Sequence, residues 1–264
     1  MTTYSIFTGC SYTEGIGLAD KSKDNDLWVN IVHPSLPGNT QTLNLGKGGS
    51  SNLEIFHSSI DALLSYKCQY LFVQWTELLR YRLNPGVETY ETSIIFVGGY
   101  QSHSVTVNPN IKYSESYIAS IKNRFFDLHH PHYEIIKIIE YSCLIKKLCD
   151  RLGVTVWFVN GILPWDADYF VHLQNLDRLP SDTTPYTQQQ LNAVSRDDDE
   201  YFLLYDKIHS EYEILESIKQ NWLNLYSGFR TSFYLDQGLD NLHPGPDSHY
   251  QFAHHLIEKI HKGL

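Results

Sequence analysis

Two short segments near opposite ends of the chain carry the side chains that nucleophilic catalysis by a hydroxyl group requires. In Tyr4–Glu14, an apolar run ends in a Gly-Cys-Ser sequence, which places a serine at Ser11. In the second segment, Asp240 lies three residues before His243. A histidine that accepts the serine proton, and a carboxylate that orients the histidine, turn a serine hydroxyl into a nucleophile. The residue types therefore indicate acyl transfer through Ser11.

Short apolar runs alternate with helical patterns along the chain, which predicts a parallel sheet with right-handed crossovers. The predicted strands are Tyr4–Thr8, Thr42–Leu45, Tyr70–Gln74, Val154–Val159 and Ser232–Leu235. The predicted helices are Ser51–Tyr66, Tyr133–Leu152 and Ser248–His261. Ser50 or Ser51 is the predicted N-cap of the first helix, and Gly153 is the predicted terminator of the second.

The predicted sheet brings the chemical segments together. Ser11 follows the first strand, a glycine-rich segment at 44–52 follows the second, and the Asp240 and His243 pair precedes the last helix. Open parallel sheets bind their ligands at the carboxyl ends of their strands. We therefore expect the three segments to meet at that edge.

Three blocks in this order resemble those of the SGNH (GDSL-type) hydrolases. Residues 9–15, Gly-Cys-Ser-Tyr-Thr-Glu-Gly, are similar to the first block, with Cys10 in place of the family's aspartate. The glycine-rich segment is similar to the second block, whose glycine corresponds to Gly49, or to Gly48 in the neighbouring register. Asp240–His243 is similar to the last block. The blocks are short, and their order along nearly the whole chain is the specific part of the resemblance.

The resemblance implies a three-layer α/β/α sandwich with a five-stranded parallel sheet of the flavodoxin-like type, in a single domain over residues 1–264. It also implies that Ser11 is the nucleophile, His243 the general base and Asp240 the group that orients the imidazole. The N–H groups of Ser11 and Gly49 are then expected in the oxyanion hole. This mechanism requires no metal and no organic cofactor.

The third block departs from the family pattern. The family places an asparagine after the third strand as an oxyanion donor, but Val73–Arg80 contains none, and Thr76 or Glu77 occupies the equivalent place. Loss of one oxyanion donor costs about 10²–10³ in rate. We assign the third oxyanion position to Thr76. The candidate replacement donors are Thr76 Oγ, Asn52, the Gln74 amide and Arg80.

Aromatic and charged side chains near the expected site are candidates for substrate binding. Trp75 and Trp165 lie just past the third and fourth predicted strands, where they either contact substrate or pack in the core. Glu77 and Arg80 follow the third strand and are candidate substrate-binding residues as well.

These residues predict a serine esterase that forms an acyl-serine intermediate, with an O-acetylated carbohydrate as the first expected substrate, since aromatic side chains suit sugar rings. Two alternatives remain open. One is an acyltransferase that uses the same serine. The other is a catalytically weak binding protein, which the absence of the third-block asparagine suggests.

Composition excludes several classes of partner. The formal net charge is -10 and no basic stripe occurs, so we expect neither nucleic acid nor an anionic membrane as partner. The four cysteines lack metal-ligand spacing, and no stretch reaches 18 apolar residues. We expect a soluble cytoplasmic protein with reduced thiols and no metal site.

The histidines are interpreted as surface residues. The tight cluster of His129, His130 and His132 is assigned to a surface loop, and the histidines of the last helix, His249 included, are expected on its solvent face.

Two long segments interrupt the alternating pattern, at about 83–132 and 166–201. Loops of this length in a compact domain are usually lids or binding loops. We predict that the first, with its short apolar run Ile94–Val97, covers the site and sets substrate choice. The alternative is a surface hairpin remote from the chemistry.

Overall fold

The computed structural model describes residues 2–20, 25–76, 79–83, 94–98, 103–107, 116, 131–161, 214, 217–224 and 229–263. The chain divides into two compact units. One comprises Met1–Glu77, Tyr141–Trp165 and Ile218–Leu264, and the other comprises Leu78–Glu140 and Asp166–Ser217. The single domain over residues 1–264 stays a prediction.

The first unit is built on a parallel sheet of four strands. They are β1 (Tyr4–Thr8), β2 (Gln41–Asn44), β3 (Cys68–Trp75) and β7 (Thr155–Asn160), in the order β2-β1-β3-β7. All three pairings are parallel. The predicted α/β class is confirmed, and four predicted strands form within two residues of their expected bounds.

The fifth predicted strand, Ser232–Leu235, does not form. Helix α5 (Phe229–Ser232) ends where this strand should begin, and the Leu235 side chain is exposed. The N–H groups of Leu235 and Asp236 donate to Ser248 Oγ at 2.9 and 3.1 Å, so they are not available for a strand ladder. The open edge of β7 is instead occupied by an isolated parallel bridge between Phe158 and Trp222.

Helices cover both faces of the parallel sheet. On one face, α2 (Trp28–Val32) and α6 (Pro246–Gly263) enclose an aromatic cluster. The rings of Phe7 and Phe72 stack at 4.6 Å, and Trp28 meets Phe7 and Phe252 edge-on at 5.5 Å. On the other face, α3 (Asn52–Ser65) contacts β1 and β3, and Tyr141 of α4 (Pro131–Leu152) contacts Trp75. The result is a three-layer arrangement.

The ends of α3 and α4 form as the sequence predicts. Ser51 Oγ accepts from the Glu54 N–H, and the Glu54 carboxylate accepts from the Ser51 N–H at 2.8 Å, which is a complete capping box. Helix α4 ends before Gly153, whose φ of 68° lies in the left-handed region.

Helix α6 is capped by a residue from outside the helix. Gly245 precedes it and offers no side chain, but the Asp236 carboxylate accepts from the N–H groups of Ser248 at 2.9 Å and Asp247 at 3.2 Å. Ser248 Oγ also donates to Asp236 Oδ1 at 2.6 Å. Burial raises the pKa of Asp236, but the hydrogen bonds from Ser248 and Asp247 outweigh it and the pKa lies below its usual value.

The second unit contains an antiparallel sheet, and its last two strands lie within the segment of about 83–132 that interrupts the alternating pattern. Its strands are β4 (Leu79–Leu83), β5 (Ile94–Gly98) and β6 (His103–Val107), with β5 in the centre. The apolar run Ile94–Val97 is therefore a central strand, stabilised by pairing on both sides. Most of the two interrupting segments lies outside the described residues, and their predicted role over the site stays a prediction.

The remaining expectations concern cysteines, metals and membranes. All four cysteines are free thiols, and burial raises the pKa values of Cys68 and Cys149 to about 12. Within the described ranges, no group of histidine, cysteine and acidic side chains is arranged to hold a metal ion. None of the helices described is long and apolar enough to cross a membrane. His129 and His130 lie outside the described residues.

The Asp236 cap predicts a pH-dependent contribution to stability. We expect Asp236→Ala to lower the free energy of unfolding at pH 7 by about 1–2 kcal/mol, the usual worth of a helix cap. The pKa of Asp236 is lower in the folded state than in the unfolded chain, so the stabilisation is present above pH ~4 and is lost as the pH falls through the folded value.

Urea denaturation of wild type and variant between pH 3 and pH 7 measures this effect. Asp150→Ala is the control, because Asp150 is exposed and its pairing with Lys146 is worth about 0.3–0.5 kcal/mol. A difference between Asp236→Ala and wild type that does not shrink at low pH would contradict the capping role.

Candidate active site

Ser11 lies at the first turn beyond the central strand β1. The chain leaves β1 at Thr8, passes through Gly9 and Cys10, and enters the single-turn helix α1 (Ser11–Glu14). Gly15, with a φ of 83°, ends the helix. The Ser11 side chain is 4% exposed. A Cβ at Gly9 would overlap Thr13 Oγ1, so only glycine permits this tight exit from the strand.

Gln74, at the end of β3, fastens the turn that carries Ser11. Its Oε1 accepts from Thr13 Oγ1 at 2.5 Å and from Cys10 Sγ at 3.5 Å. Cys10 is fully buried. Gln74 Nε2 is buried and has no hydrogen-bond partner among the described residues.

The glycine-rich loop after β2 is bound against α1. The Lys47 N–H donates to Gly9 O at 3.0 Å, and Asn44 Nδ2 donates to Thr13 O at 2.7 Å. The Gly48 N–H donates to the Glu14 carboxylate at 2.5 Å. Gly49 follows with a φ of 74°, in the left-handed region. These contacts hold the loop that contains Gly49 against α1.

Thr76 follows β3 and is tied to the start of α3. Its N–H donates to Asn52 Oδ1 at 2.8 Å, while its Oγ1 is buried and has no partner in the described part of the chain. Asn52 is therefore engaged through its carbonyl oxygen. Thr76 Oγ1 and Gln74 Nε2 are the two candidate replacement donors that the structure shows buried without a partner.

Asp240 and His243 are hydrogen-bonded to each other on a closed loop. Asp240 Oδ2 lies 2.5 Å from His243 Nδ1, and Asp240 Oδ1 accepts from the N–H groups of Leu242 and His243, each at 3.0 Å. Burial raises the pKa of Asp240, but these hydrogen bonds outweigh it and the pKa lies below its usual value. The Gly238 N–H donates to His243 O at 2.8 Å and closes the loop. Asp240 is thus ionised and fixed to one ring nitrogen.

This loop docks on the residues that follow α1. The Leu239 N–H donates to Gly17 O at 2.7 Å, and a Cβ at Gly17 would lie 2.8 Å from His243 Cβ. The His243 ring meets the Tyr12 ring edge-on at 5.7 Å. The structure therefore brings the histidine loop to the segment of Ser11. Ser11 Oγ and the His243 ring form no hydrogen bond with each other here, and such catalytic bonds often tighten only with substrate.

The structure describes two of the four candidate substrate-binding residues, Trp75 and Arg80. Trp75 is fully buried and stacks with Phe158 at a centroid distance of 6.4 Å, which supports the core-packing alternative. Arg80 lies in β4 of the second unit and is half-buried. Glu77 and Trp165 lie outside the described residues.

The expectation for His249 is wrong. This residue is fully buried, its Nδ1 accepts from the Trp28 N–H at 3.5 Å, and its ring meets Phe229 at 4.9 Å. Burial lowers its pKa to about 3, so the ring is neutral. His249 lies three and seven residues before Phe252 and Leu256, on the apolar face of α6. This helical spacing indicates burial, although histidine is usually a surface residue.

A polar cluster at the end of β7 has no signature in the sequence. Asn160 Oδ1 accepts from Trp222 Nε1 at 3.0 Å, and the Asn160 N–H donates to Asn224 Oδ1 at 2.7 Å. Asn224 Nδ2 in turn donates to Asn160 O at 3.0 Å. Asn160 thus fastens the segment beside β7, and its bonds leave it no role as the missing oxyanion donor.

A cavity of about 520 Å³ lies along α3 beside the glycine-rich loop. Gly9, Lys47 and Ser50 line the cavity together with polar and apolar residues of α3, among them Glu54, Ile55, His57 and Asp61. The cavity is therefore suited to a ligand that forms hydrogen bonds.

No protein-family model and no curated protein matches the chain. Among solved structures, TesA is 12% identical with a TM-score of 0.49 and complete coverage of both chains, 100% of each. The two-domain esterase CEX, active on acetylated mannans, is 11% identical with a TM-score of 0.44, over 99% of this chain and 49% of that one. A GDSL-like lipase from Bacteroides thetaiotaomicron VPI-5482 is 11% identical with a TM-score of 0.40, over 99% of this chain and 89% of the lipase. At these values the likenesses carry no argument about the chemistry of this chain.

Proposed function

We propose that the chain is a serine esterase in which Ser11 is the nucleophile, His243 the general base and Asp240 the residue that orients the imidazole. The observation that carries the proposal is the docking of the Asp240–His243 loop on Gly17, six residues beyond Ser11. A carboxylate, an imidazole and a buried serine on adjoining loops are the components of an activated hydroxyl.

The proposed mechanism follows from the hydrogen bond between Asp240 and His243 Nδ1. Asp240 holds His243 Nδ1, which leaves Nε2 as the ring nitrogen that accepts the Ser11 proton. Ser11 Oγ adds to the ester carbonyl, and the proton on Nε2 passes to the leaving alcohol when the C–O bond breaks. Water, deprotonated by the same nitrogen, then attacks the acyl-serine; the bond from the acyl carbon to Ser11 Oγ breaks, Nε2 returns its proton to Oγ, and the acid is released. Asp240 stabilises the imidazolium at both stages.

The proposed oxyanion hole consists of the Ser11 N–H, the Gly49 N–H and Thr76 Oγ1. Neither N–H group donates to another described residue, so both are available to a developing oxyanion. Thr76 Oγ1 is buried and lacks a partner in the same part of the chain. A buried hydroxyl without a partner is destabilising in the free enzyme unless a ligand completes it. Thr76 is therefore the proposed replacement for the missing asparagine.

The proposed substrate is a short-chain ester of a hydroxyl-rich alcohol, such as an O-acetylated carbohydrate. The cavity beside the glycine-rich loop supports an alcohol with several hydroxyl groups, because Glu54, His57 and Asp61 in its lining offer both donors and acceptors. The same serine supports transfer of the acyl group to a second alcohol, and product analysis with an added sugar alcohol distinguishes that reaction from hydrolysis.

Replacement of Ser11 tests the nucleophile. We expect Ser11→Ala to lower kcat for p-nitrophenyl acetate by at least about 10³-fold, as for other triad serines. A fluorophosphonate probe should label wild type at Ser11 and leave the variant unlabelled. Ser217→Ala, at an exposed serine that does not line the cavity, is the control. Equal hydrolysis by wild type and Ser11→Ala would remove Ser11 from the mechanism.

Replacement of Gly17 tests the docking of the histidine loop. The new methyl group of Gly17→Ala would press on His243 Cβ, and a displacement near 1 Å costs about 10²-fold in kcat. Gly153→Ala is a matched control, because Gly153 also has a positive φ, 68°, but has no atom within 4 Å of the added carbon. Both variants should lose similar thermal stability, and only Gly17→Ala should lose activity. Equal kcat values in the two variants would show that this contact does not position His243.

Replacement of Thr76 tests the third oxyanion donor. Thr76→Val keeps the shape and removes the hydroxyl, so we expect kcat to fall about 10²-fold with KM little changed. Thr76→Ser should retain most of the activity, since it keeps the donor. Steady-state kinetics of both variants provide the measurement. Full activity in Thr76→Val would exclude Thr76 as the third oxyanion donor. The remaining candidate would be Gln74, whose Nε2 is also buried without a partner among the described residues.

A further inference from the structure

Glu14 joins the nucleophile helix to the glycine-rich loop. It is the last residue of α1, three positions after Ser11, and its carboxylate accepts from the Gly48 N–H at 2.5 Å. We infer that Glu14 is a positioning residue that holds the Gly48–Gly49 turn where the Gly49 N–H can meet an oxyanion. The inference rests on the proposed function, because it assigns a role within that site.

The glycines of the loop provide no side chains of their own to fix its conformation. Gly46, Gly48 and Gly49 lack side chains, and glycine backbone is the most freely variable in conformation. Gly49 itself has a φ of 74°, which other residues rarely adopt. A hydrogen bond from an N–H to a carboxylate is shorter and stronger than one between neutral groups. Glu14 therefore supplies a strong restraint one residue before the proposed donor.

The packing around the hydrogen bond between Glu14 and Gly48 also holds the glycine-rich loop at a fixed distance from α1. A Cβ at Gly48 would lie 2.5 Å from Ile16 Cδ1 and 3.0 Å from Glu14 Oε2, so the loop touches the segment of α1 directly. Lys47 adds a backbone bond to Gly9 on the other side of Ser11. The nucleophile and the loop are thus held as one unit, and Glu14 provides the side-chain link to Gly48.

Positioning and direct electrostatic action by Glu14 predict opposite results. A negative charge near a developing oxyanion is unfavourable, so the carboxylate contributes by its reach and its acceptor oxygen. Glu14→Gln keeps both and removes the charge. Glu14→Asp keeps the charge but is one methylene shorter, so it does not span the gap to the Gly48 N–H in the present geometry. The two variants separate geometry from charge.

The test uses p-nitrophenyl acetate and the corresponding thionoester, whose sulfur accepts hydrogen bonds from an oxyanion hole poorly. We expect kcat of Glu14→Asp to fall about 10²-fold with KM within about twofold, and Glu14→Gln to stay within about threefold of wild type. The ratio of kcat/KM for ester over thionoester should fall in Glu14→Asp and persist in Glu14→Gln. Glu258→Ala, at an exposed glutamate of α6, is the control for simple loss of a carboxylate.

Hydrogen exchange at the Gly48 amide gives a readout independent of turnover. It should be protected in wild type and Glu14→Gln, and faster in Glu14→Asp. Wild-type kcat and an unchanged ester-to-thionoester ratio in Glu14→Asp would overturn the inference while leaving the proposed function intact. Equal impairment of Glu14→Gln and Glu14→Asp would overturn it as well. Absence of Ser11-dependent hydrolysis in wild type would instead overturn the proposed function, and this inference with it.

Discussion

The close approach of Gly17 to the Asp240–His243 loop is the constraint on which the candidate site depends. The two segments come from opposite ends of the chain, and they meet through the bond from the Leu239 N–H to Gly17 O. Gly238 lies against Gly17 as well, with its ideal Cβ position 2.6 Å from Gly17 O. Side chains at either glycine would separate the loops. The loop of Asp240 and His243 therefore reaches the segment of Ser11 only because neither glycine carries a side chain at the point of contact.

Amide side chains from the ends of three strands hold the segments at the carboxyl edge. Gln74 binds the turn of Ser11, Asn44 binds Thr13 O, and Asn160 binds the segment beside β7. Backbone groups in such loops lack the regular partners of a sheet, and burial without partners is costly. Amide side chains suit this position because they both donate and accept. The sheet thereby sets the geometry of loops that have little regular structure of their own.

The sequence predicts the elements with strong local signals and misses those fixed by distant contacts. The apolar runs of β1, β3 and β7, the Ser51 cap and the Asp240–His243 pair were recoverable because spacing and residue type define them locally. The strand expected at Ser232–Leu235 fails because Ser248, a residue of the following helix, takes the N–H groups of Leu235 and Asp236. His249 was misplaced because its burial depends on Trp28 and Phe229, which only the folded chain brings near.

Three carboxylates near the candidate site bind backbone N–H groups, an arrangement that is compatible with the proposed oxyanion hole in an acidic chain. Asp236 accepts from Ser248, Asp240 from Leu242 and His243, and Glu14 from Gly48. In each case the charged carboxylate accepts a hydrogen bond from the backbone, and this bond fixes a loop that lacks the hydrogen bonds of a sheet. Because Asp240 also binds His243, its charge favours the imidazolium rather than opposing the oxyanion. The net charge of -10 is thus compatible with acyl transfer, since the carboxylates closest to the chemistry are directed to backbone donors and to the histidine.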